Sequence, residues 1–432
     1  MDFFKRINSW LEAFDELEKL PKVVVFLYSV LIVGLLLVAL SPEMLELVEY
    51  QTAIQRVKFG SRWFYGVSST AGAVALLLLL YVMARHATSG RDKASSYLIY
   101  SPRTFADELH LNQLGSGRGS WGQRALYVGV DGARSWLAVS LHPEYDIAEG
   151  KLRPALEKII EHLGRVGSLI SLGPGDGKVD SALMASLVAT KGKGTAYVPI
   201  DISEGLLLVT MKRLKNELAD VRMPFGILGD FEYGWDDFGH LIESEKHPRL
   251  FSILGNTVSN FDHGLEAFFP KIWGSVAEGD YVLFDILLGD FNDLLGPHSE
   301  QPARHDPNRL FPDTEVMRRY KEFIAQGARR ISRDHRVFDD AAQSFATTLA
   351  VERKMSTDQG YDQLHLLYRD GGETRTIFKW RRYLKDMTAF QNWLRTALSG
   401  CTVVTTSDVT DDGKTTRLIL LRRDPVPKKA AA

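Results

Sequence analysis

A glycine-rich turn between an apolar strand and a helix constrains the fold of this chain more than any other feature. Residues 169–178 read LISLGPGDGK, in which Gly173 and Gly175 remove side chains where a backbone must approach a ligand. The helix predicted to follow offers unpaired N–H groups at its start. The next apolar stretch, residues 197–204, reads YVPIDISE and predicts a second strand that ends in a carboxylate, Asp201. Strand, turn, helix and strand in this order predict an α/β fold with a nucleotide site.

The spacing of these glycines separates two classes of nucleotide cofactor. The dinucleotide fingerprint G-x-G-x-x-G requires a glycine at position 178, where this chain has Lys178. The pattern G-x-G-x-G with an acid at the end of the following strand fits S-adenosylmethionine better than NAD. At that position Asp201 is expected to contact ribose hydroxyls. The sequence therefore predicts a methyltransferase that uses S-adenosylmethionine.

Length and composition exclude several other classes of protein. The chain has 432 residues, enough for two or three domains. Its formal net charge of -2 gives no reason to expect a nucleic-acid partner. The single cysteine, Cys401, excludes an internal disulfide and a cysteine-rich zinc site. Because no set of His, Cys and Asp residues has the spacing of metal ligands, we expect no metal.

Two uncharged apolar stretches predict a membrane hairpin near the start of the chain. Residues 23–40 and 63–84 contain no Asp, Glu, Lys or Arg, and each is about long enough to cross a bilayer. A hairpin over residues 21–86 follows, preceded by an amphipathic helix over residues 1–20. A cleaved signal peptide is disfavoured because the segment before the first span is rich in Glu and Asp. Buried soluble helices are the remaining alternative.

The hairpin leads to predictions about location and partners. Two spans place both termini on one side of the cell membrane. Basic residues flank both outer ends, which favours cytoplasmic termini and a cytoplasmic catalytic domain. The lipid bilayer is then an expected partner. The small residues at 68–73 allow either a homo-oligomer through the hairpin or simple packing within it.

From about residue 87 the sequence alternates between strand and helix patterns. Short strand-like runs occur at 124–130 and 135–141. Five strands are predicted in a cofactor-binding core: 168–172, 195–200, 224–228, 250–254 and 280–285. A terminal antiparallel hairpin added to a parallel sheet is typical of class I methyltransferases. The predicted fold class is therefore α/β, a class I (Rossmann-like) core with a second, α+β substrate-binding lobe.

These patterns divide the chain after the hairpin into five segments. They are 87–150, a linker and the first part of the lobe; 151–297, the S-adenosylmethionine-binding core; 298–378, the rest of the lobe; 379–425, a C-terminal helix and β-hairpin that complete the core sheet; and 426–432, a disordered tail.

Four motifs occur in the order and spacing of one enzyme family. They are YVPIDISEG at 197–205, GDFE at 229–232, LGNTVSNF at 254–261 and GDYVLFDILLGD at 279–290. By these motifs the chain resembles the histidine-specific methyltransferases of ergothioneine biosynthesis, as a divergent and membrane-anchored member. That family also includes fungal enzymes that N-methylate a prenylated tryptophan. The resemblance covers residues 140–300 well and 300–425 in outline, and the hairpin lies outside it.

The resemblance implies a set of cofactor-binding residues. These are Gly173, Gly175 and Lys178 for the methionine end, Asp201 for the ribose, and Asp230 and Phe231 for the adenine. Five of these six residues have alternative structural roles. Gly173 and Gly175 could serve the geometry of the turn alone, and Asp230 could be a turn residue. Asp201 could cap a helix, and Lys178 could be a solvated residue in the first turn of a helix.

The resemblance also implies the residues that meet the methyl acceptor. Asn260 matches an asparagine that holds the substrate α-amino group, and Tyr145 matches a tyrosine near the substrate carboxylate. Methyl transfer to an amine requires the neutral amine, and the pKa of an unperturbed alkylamine is on the order of 10. An amide oxygen accepts a hydrogen bond from N–H without adding a charge that favours the ammonium, which suits Asn260 to a catalytic role. Capping the next helix is the alternative for Asn260.

One segment departs from the family. In the histidine enzymes a strand before a Lys-aromatic pair supplies an acid and a hydroxyl that hold the imidazole. Aligned on Lys379, this chain has Arg375 and Ile377 at those positions, and neither suits an imidazole. We therefore expect direct in-line methylation of another amine, either a small molecule or one associated with the membrane. A histidine Nα-methyltransferase and a non-catalytic membrane scaffold or S-adenosylmethionine sensor are the alternatives.

Overall fold

The computed structural model describes residues 97–101, 123–143, 145, 149–192, 194–218, 221–261, 264–295, 313–331, 349–356, 360–370, 373–411 and 414–425. All of them belong to the second of two compact units, which begins at residue 94. The predicted amphipathic helix, the hairpin over residues 21–86 and the tail over 426–432 lie outside the described residues. Among the helices that are described, none is long and apolar enough to cross a membrane.

A parallel sheet forms the centre of this unit because its strands are mostly apolar and are buried along their length. The strands are β1 (Tyr97–Tyr100), β2 (Ser168–Leu172), β3 (Ala196–Asp201), β4 (Phe225–Leu228), β5 (Arg249–Ile253) and β6 (Tyr281–Leu288). They lie in the order β1-β4-β3-β2-β5-β6. The bounds of β2 to β6 fall within three residues of the predicted strands, whereas the sequence patterns do not predict β1.

Helices cover both faces of this sheet. They are α1 (Gly129–Ser140), α2 (Glu149–Glu161), α3 (Lys178–Lys191), α4 (Glu204–Glu217), α5 (Trp235–Glu243), α6 (Leu265–Ser275), α7 (Asn292–Leu295), α8 (Glu315–Ile331) and α9 (Thr388–Ala397), with 3-10 helices at Gln123–Leu126 and Thr257–Asn260. Apolar residues of α2, α3 and α4 pack on the face that carries Leu169 and Tyr197. Those of α5, α6 and α9 pack on the opposite face, which carries Ile170 and Val198. Each strand is therefore apolar on both faces.

A C-terminal hairpin extends the sheet beyond β6. Its strands are β10 (Cys401–Asp411) and β11 (Lys414–Arg423). β11 pairs antiparallel with β6, and Leu418 lies opposite Asp285. The strands β4-β3-β2-β5-β6-β11-β10 thus form a parallel sheet in which β11 alone runs in reverse.

A smaller antiparallel sheet lies next to the parallel one. It consists of β7 (Leu349–Ser356), β8 (Tyr361–Asp370) and β9 (Glu373–Tyr383). One residue pair, Leu288 and Tyr383, joins it to β6. We call these three strands, α1, α8 and the 3-10 helix at Gln123–Leu126 the lobe. Their buried apolar residues form a separate cluster, the lobe core, which includes Val139, Phe323 and Leu366.

The strand-like runs predicted at 124–130 and 135–141 are wrong. The first forms a 3-10 helix and the start of α1, and the second forms the rest of α1 and its C-cap. Gly129, with φ of 75°, interrupts an extended backbone at the start of α1. A Cβ on Gly205 would lie 2.7 Å from Cβ of Ala133, so α1 and α4 pack in close contact. These tertiary contacts favour the helix over the strand that the short apolar runs indicate.

Candidate active site

The loop between β2 and α3 leaves an open backbone at the carboxyl end of the parallel sheet. β2 pairs with β3 on one side and β5 on the other, so the loop lies where the strand order reverses, the usual ligand position in such sheets. Gly173 and Gly175 have φ of 68° and 59°, a left-handed backbone that glycine adopts without strain. A Cβ on Gly173 would lie 3.2 Å from Thr257 Cγ2 and 3.5 Å from the Phe231 ring. Any larger residue would therefore fill the space beside the loop.

Asp201 lies beside this loop, at the end of β3. It is only 5% exposed and accepts hydrogen bonds from the backbone N–H of Ser203 at 2.8 Å and of Gly175 at 3.4 Å. Burial raises the pKa of the Asp201 carboxyl to about 7, although these backbone donors act to lower it. The carboxyl therefore titrates near neutral pH and its ionised form accepts donors from a ligand.

A second buried acid lies on α3, directly after the glycine loop. Tyr197 donates its hydroxyl hydrogen to Asp180 Oδ2 at 2.5 Å. Burial raises the pKa of Asp180 to about 6, and the neighbouring Asp176 adds to the rise. Burial and the charge of Asp180 raise the pKa of Tyr197 well above its ordinary value, so this hydroxyl stays a donor. Sequence reasoning missed Asp180 because acids are common in the first turn of a helix, where they interact favourably with the helix dipole. Its position alone therefore does not indicate a binding site.

Asp230 and Phe231 follow β4. Asp230 Oδ1 accepts the backbone N–H groups of Glu232 at 3.0 Å and Tyr233 at 3.2 Å, which fixes the carboxylate. Arg124 Nη1 donates to Asp230 Oδ2 at 2.5 Å, and its guanidinium carbon lies 4.1 Å from the centroid of the Tyr233 ring. The 3-10 helix of the lobe thus contacts the end of β4. Phe231 presents a half-buried ring next to these groups.

A buried acid of β6, which sequence reasoning missed, fixes the loop after β5. Asp285, a buried residue of β6, accepts the backbone N–H of Gly255 at 3.1 Å and of Asn256 at 3.0 Å. Ser259 donates its hydroxyl hydrogen to Asn256 Oδ1 at 2.6 Å. These contacts fix the 3-10 helix that ends in Asn260, whose side chain is half-buried.

Aromatic residues of the lobe form a wall of the site beside the glycine loop. Trp136 contacts Tyr127 and Tyr145 edge-on, with ring centroids 5.2 Å and 5.5 Å apart. Tyr320 stacks on Tyr145 at 6.3 Å. A Cβ on Gly175 would lie 3.6 Å from Trp136 Nε1, so the lobe and the loop are close neighbours. Sequence reasoning missed Tyr127 and Trp136 because they lie in two separate runs that were both predicted as strands. Two such strands give no reason to expect the two rings on the same wall of a site.

These elements surround a cavity with about 1130 Å³ of space between the protein atoms, part of it open to solvent. The cavity is lined by seven of the eight residues predicted from the sequence: Tyr145, Gly173, Gly175, Asp201, Asp230, Phe231 and Asn260. The eighth, Lys178, is not among the lining residues, and its Nζ donates to the backbone oxygen of Ser140 at 3.0 Å. Lining residues that sequence reasoning missed include Arg124, Tyr127, Trp136, Asp176 and Asp180.

Comparison with known proteins gives one family match. Residues 131–288 match the family model described as histidine-specific, S-adenosylmethionine-dependent methyltransferase. No curated protein sequence matches the chain.

Several solved structures are similar to this chain at low identity. An S-adenosylmethionine-dependent methyltransferase from Clostridium acetobutylicum ATCC 824 is 12% identical, over 65% of this chain and 94% of that chain, with a TM-score of 0.33. The 1,6-didemethyltoxoflavin-N1-methyltransferase of Burkholderia thailandensis is 13% identical, over 76% and 92%, with a TM-score of 0.35. The magnesium protoporphyrin IX methyltransferase of Synechocystis PCC 6803 is 10% identical, over 74% and 100%, with a TM-score of 0.35.

The chain is an S-adenosylmethionine-dependent methyltransferase with a mixed α/β sheet of the class I type. Within this class, residues 131–288 are similar to the family described as histidine-specific. The cavity fits the cofactor. Gly173 and Gly175 leave space that a Cβ would fill, and Asp201 offers a buried acceptor at the end of the adjacent strand.

Proposed function

We propose that this enzyme N-methylates an amine other than free histidine, at the cytoplasmic face of a cell membrane to which residues 21–86 anchor it. The observation that best supports this proposal is the cavity. Gly173, Gly175 and Asp201, which suit S-adenosylmethionine, line the same cavity as Asn260 and Tyr145, and this supports a site where cofactor and acceptor meet.

When bound, S-adenosylmethionine supplies an already activated methyl group on a sulfonium. Gly173 and Gly175 would leave room for its methionine end, and Asp201 would accept the ribose hydroxyls. Asp230 and Phe231 would contact the adenine from the end of β4. What the protein must add is in-line placement of the acceptor nitrogen, rather than a strong acid or base.

Asn260 suits the binding of a neutral amine. Asp285 holds the loop that carries it, so the amide has a fixed position beside the cavity. The amide oxygen accepts an N–H donor and adds no charge that would favour the ammonium. The aromatic wall of Tyr127, Trp136 and Tyr145 reduces solvation of the acceptor, and desolvation lowers the pKa of an amine. Both effects favour the nucleophilic free base.

The sequence departure at Arg375 and Ile377 supports an acceptor other than free histidine. Ile377 itself is 3% exposed, packs in the lobe core with Phe323 and Leu366, and is not among the residues that line the cavity. An isoleucine at this position offers no hydrogen bond to an imidazole. Histidine Nα-methylation is the second candidate, and the family match over residues 131–288 favours it. The two candidates share the cofactor site and differ in the acceptor.

Transfer of a radiolabelled methyl group tests the proposal. The full chain, in detergent or lipid nanodiscs, is incubated with labelled S-adenosylmethionine and with free histidine, phosphatidylethanolamine vesicles or a membrane extract. We expect label on an amine other than histidine, and about a twofold to tenfold loss of transfer in Asn260→Ala, since one neutral hydrogen bond is removed. The exposed change Asp236→Asn on α5 serves as the control.

Two outcomes would change the assignment. Methylation of free histidine at a rate comparable to that of any other amine supports the second candidate. A well-folded chain that binds S-adenosylmethionine and labels nothing in these mixtures would contradict the acceptor proposal. Extraction of cell membranes with alkaline carbonate tests the anchor. We expect the full chain to stay with the membrane and a chain that lacks residues 1–87 to leave it.

A further inference from the structure

A buried pair of hydrogen-bonded side chains lies next to the glycine loop and has no part in the proposed chemistry. Tyr197 of β3 donates its hydroxyl hydrogen to Asp180 Oδ2 at 2.5 Å. The two residues are 0% and 2% exposed, so water does not compete with this contact. A hydrogen bond to an ionised carboxylate is roughly twice as strong as one between neutral groups. The pair is therefore a strong contact beside the loop.

Asp180 joins the elements on both sides of the loop. The loop, residues 173–177, follows β2 and leads into α3, and Asp180 lies in the first turn of that helix. Burial raises the pKa of Asp180, and hydrogen bonds from Ser171 of β2 and Tyr197 of β3 act against that rise. One carboxylate of the helix thus receives donors from two strands. Its loss would weaken the attachment of α3 to the sheet at the point where the loop ends.

The loop backbone depends on support from neighbouring elements. All three of its glycines have a φ between 59° and 77°, and glycine is the residue with the greatest backbone freedom. Thr210 of α4 donates its hydroxyl hydrogen to the backbone oxygen of Gly175 at 2.8 Å, and the N–H of Gly175 lies 3.4 Å from Asp201 Oδ2. These contacts fix the middle of the loop, and Asp180 fixes the helix into which it leads.

Titratable and charged groups from several elements surround Asp180. They are Asp176 in the loop, Lys178 in the same helical turn, Tyr197 and Asp201 on β3, and Glu217 of α4, which accepts a hydrogen bond from Ser181. α2, which also packs on α3, contributes apolar residues to that contact. Burial raises the pKa of Asp201, and the charge of Asp180 adds to that rise. Asp180 therefore acts on the site through its charge as well as through its hydrogen bonds.

We propose that Asp180, held by Tyr197, is a positioning residue for methyl transfer: it fixes the start of α3, and with it the glycine loop, and it adds a negative charge near Asp201. It acts through the loop and through Asp201 rather than through a contact with the ligand. The inference rests on the proposed function, which places S-adenosylmethionine at this loop. Cofactor affinity then depends on Tyr197, which is not among the described residues that line the cavity.

Calorimetry of the full chain in detergent, with S-adenosylhomocysteine as the probe, tests the proposal. Tyr197→Phe removes only the hydroxyl, and we expect S-adenosylhomocysteine to bind about threefold to tenfold more weakly at about pH 8. Asp180→Asn removes the charge and keeps the shape, and we expect a loss of about tenfold. Because both variants disrupt one contact, the double variant should lose no more than about twofold beyond Asp180→Asn alone.

A series of pH values separates positioning from a loss of stability. The affinity of the unmodified chain for S-adenosylhomocysteine should rise through about pH 7 as Asp201 ionises. Asp180→Asn removes a like charge that disfavours this ionisation, so the midpoint of the rise should move to lower pH. A change that only destabilises the fold leaves that midpoint where it is.

Ser275→Ala is the matched control for the loss of a hydrogen bond. The Ser275 hydroxyl accepts a hydrogen bond from Trp235 Nε1 at 2.9 Å, and this contact joins α5 and α6 on the opposite face of the sheet. Its loss should lower the unfolding temperature, because a partly buried donor loses its partner. We expect S-adenosylhomocysteine affinity to stay within about twofold and the pH midpoint to be unchanged.

The outcomes decide between positioning and stability. Weaker binding in both variants, with a lower pH midpoint in Asp180→Asn, supports the proposal. Tyr197→Phe affinity within about twofold of the unmodified chain, an unmoved midpoint in Asp180→Asn, or an equal loss of affinity in Ser275→Ala would each overturn it. If the folded, unmodified chain binds no S-adenosylhomocysteine at all, the placement of the cofactor fails, and with it the proposed function.

Discussion

Asp201 couples proton binding to ligand binding at the centre of the site. Burial disfavours its ionised form and raises its pKa to about 7. The stability that this group contributes is fully present below its unfolded pKa of about 3.9, and it is lost as the pH rises through about 7. The ligand-free chain therefore carries an unfavourable buried charge above that pH. A cationic ligand with hydroxyl donors offsets this effect.

We expect S-adenosylmethionine binding to release a proton near pH 7. The ligand prefers the ionised carboxylate, so its affinity should rise with pH through about 7 and level off above. Calorimetry in two buffers with different ionisation enthalpies measures the proton count. Asp201→Asn should abolish most of the release and weaken binding at least about tenfold. Binding without proton release at pH 7 in the unmodified chain would contradict this role.

The residues that the sequence could predict are those defined by local patterns. Gly173, Gly175 and Asp201 follow from the chemistry of a turn and of a strand end, and the structure places all three on one cavity. Trp136 is different, because it comes from a lobe that only the tertiary fold brings to the loop. Asp176 lies inside the glycine motif, but a sequence does not show whether a carboxylate oxygen has a partner.

At the scale of elements, the loop after β5 depends on one strand of the sheet beneath it. Asp285 of β6 accepts two successive backbone N–H groups, those of Gly255 and Asn256. Asn256 has a left-handed backbone, with φ of 64°, which asparagine adopts more readily than other residues that carry a side chain. The position of Asn260 therefore depends on a carboxylate in another element.

Asp285→Ala should reduce methyl transfer while it leaves cofactor binding largely intact. The two backbone donors lose a charged acceptor, and the 3-10 helix that carries Asn260 loses its fixed position. We expect kcat/KM to fall at least about tenfold and S-adenosylhomocysteine affinity to change less than about threefold. Radiolabelled transfer and calorimetry measure the two effects. Asp285→Asn, which keeps one acceptor oxygen, should give an intermediate rate, and an equal loss in both quantities would refute the argument.

The elements themselves were predictable where burial is simple. β2 and β3 are apolar runs buried on both faces, and their bounds agree with the sequence pattern to within one residue. α1 was not predictable, because its apolar runs are too short to separate a strand from a helix. Packing of Ala133 against Gly205 decides the outcome, and those residues are far apart in the sequence.

At the scale of the whole described unit, a buried ion pair connects the lobe to the end of β6. Arg353 Nη2 donates to Asp362 Oδ2 at 2.5 Å, and the two side chains are 4% and 0% exposed. Asp362 also accepts the backbone N–H of Phe291 at 2.9 Å, and Arg353 donates to Asn292 Oδ1 at 2.9 Å. The lobe strands are thereby fixed to the segment that follows β6.

Removal of one partner should destabilise the protein strongly. Arg353→Met leaves the Asp362 carboxylate buried without its ion-pair partner. We expect the free energy of unfolding to fall by about 3–5 kcal/mol. The double change Arg353→Met with Asp362→Asn removes the charge and should recover part of that loss. Urea unfolding followed by tryptophan fluorescence gives both values. If Arg353→Met lowers the free energy of unfolding by less than about 1 kcal/mol, the ion pair contributes no more than an exposed one and does not hold the lobe strands in place.

The link between the two sheets has a consequence for how enzymes of this kind diversify. Among the described strands, β9 meets the parallel sheet at one residue pair, Leu288 and Tyr383. The strands that carry the glycine loop therefore keep all their own hydrogen bonds if the lobe strands change in length or sequence. The lobe strands can therefore vary without disturbing the backbone pairing that holds the methyl-donor loop, although α1 and the ion pair of Arg353 still connect the lobe to the rest of the unit.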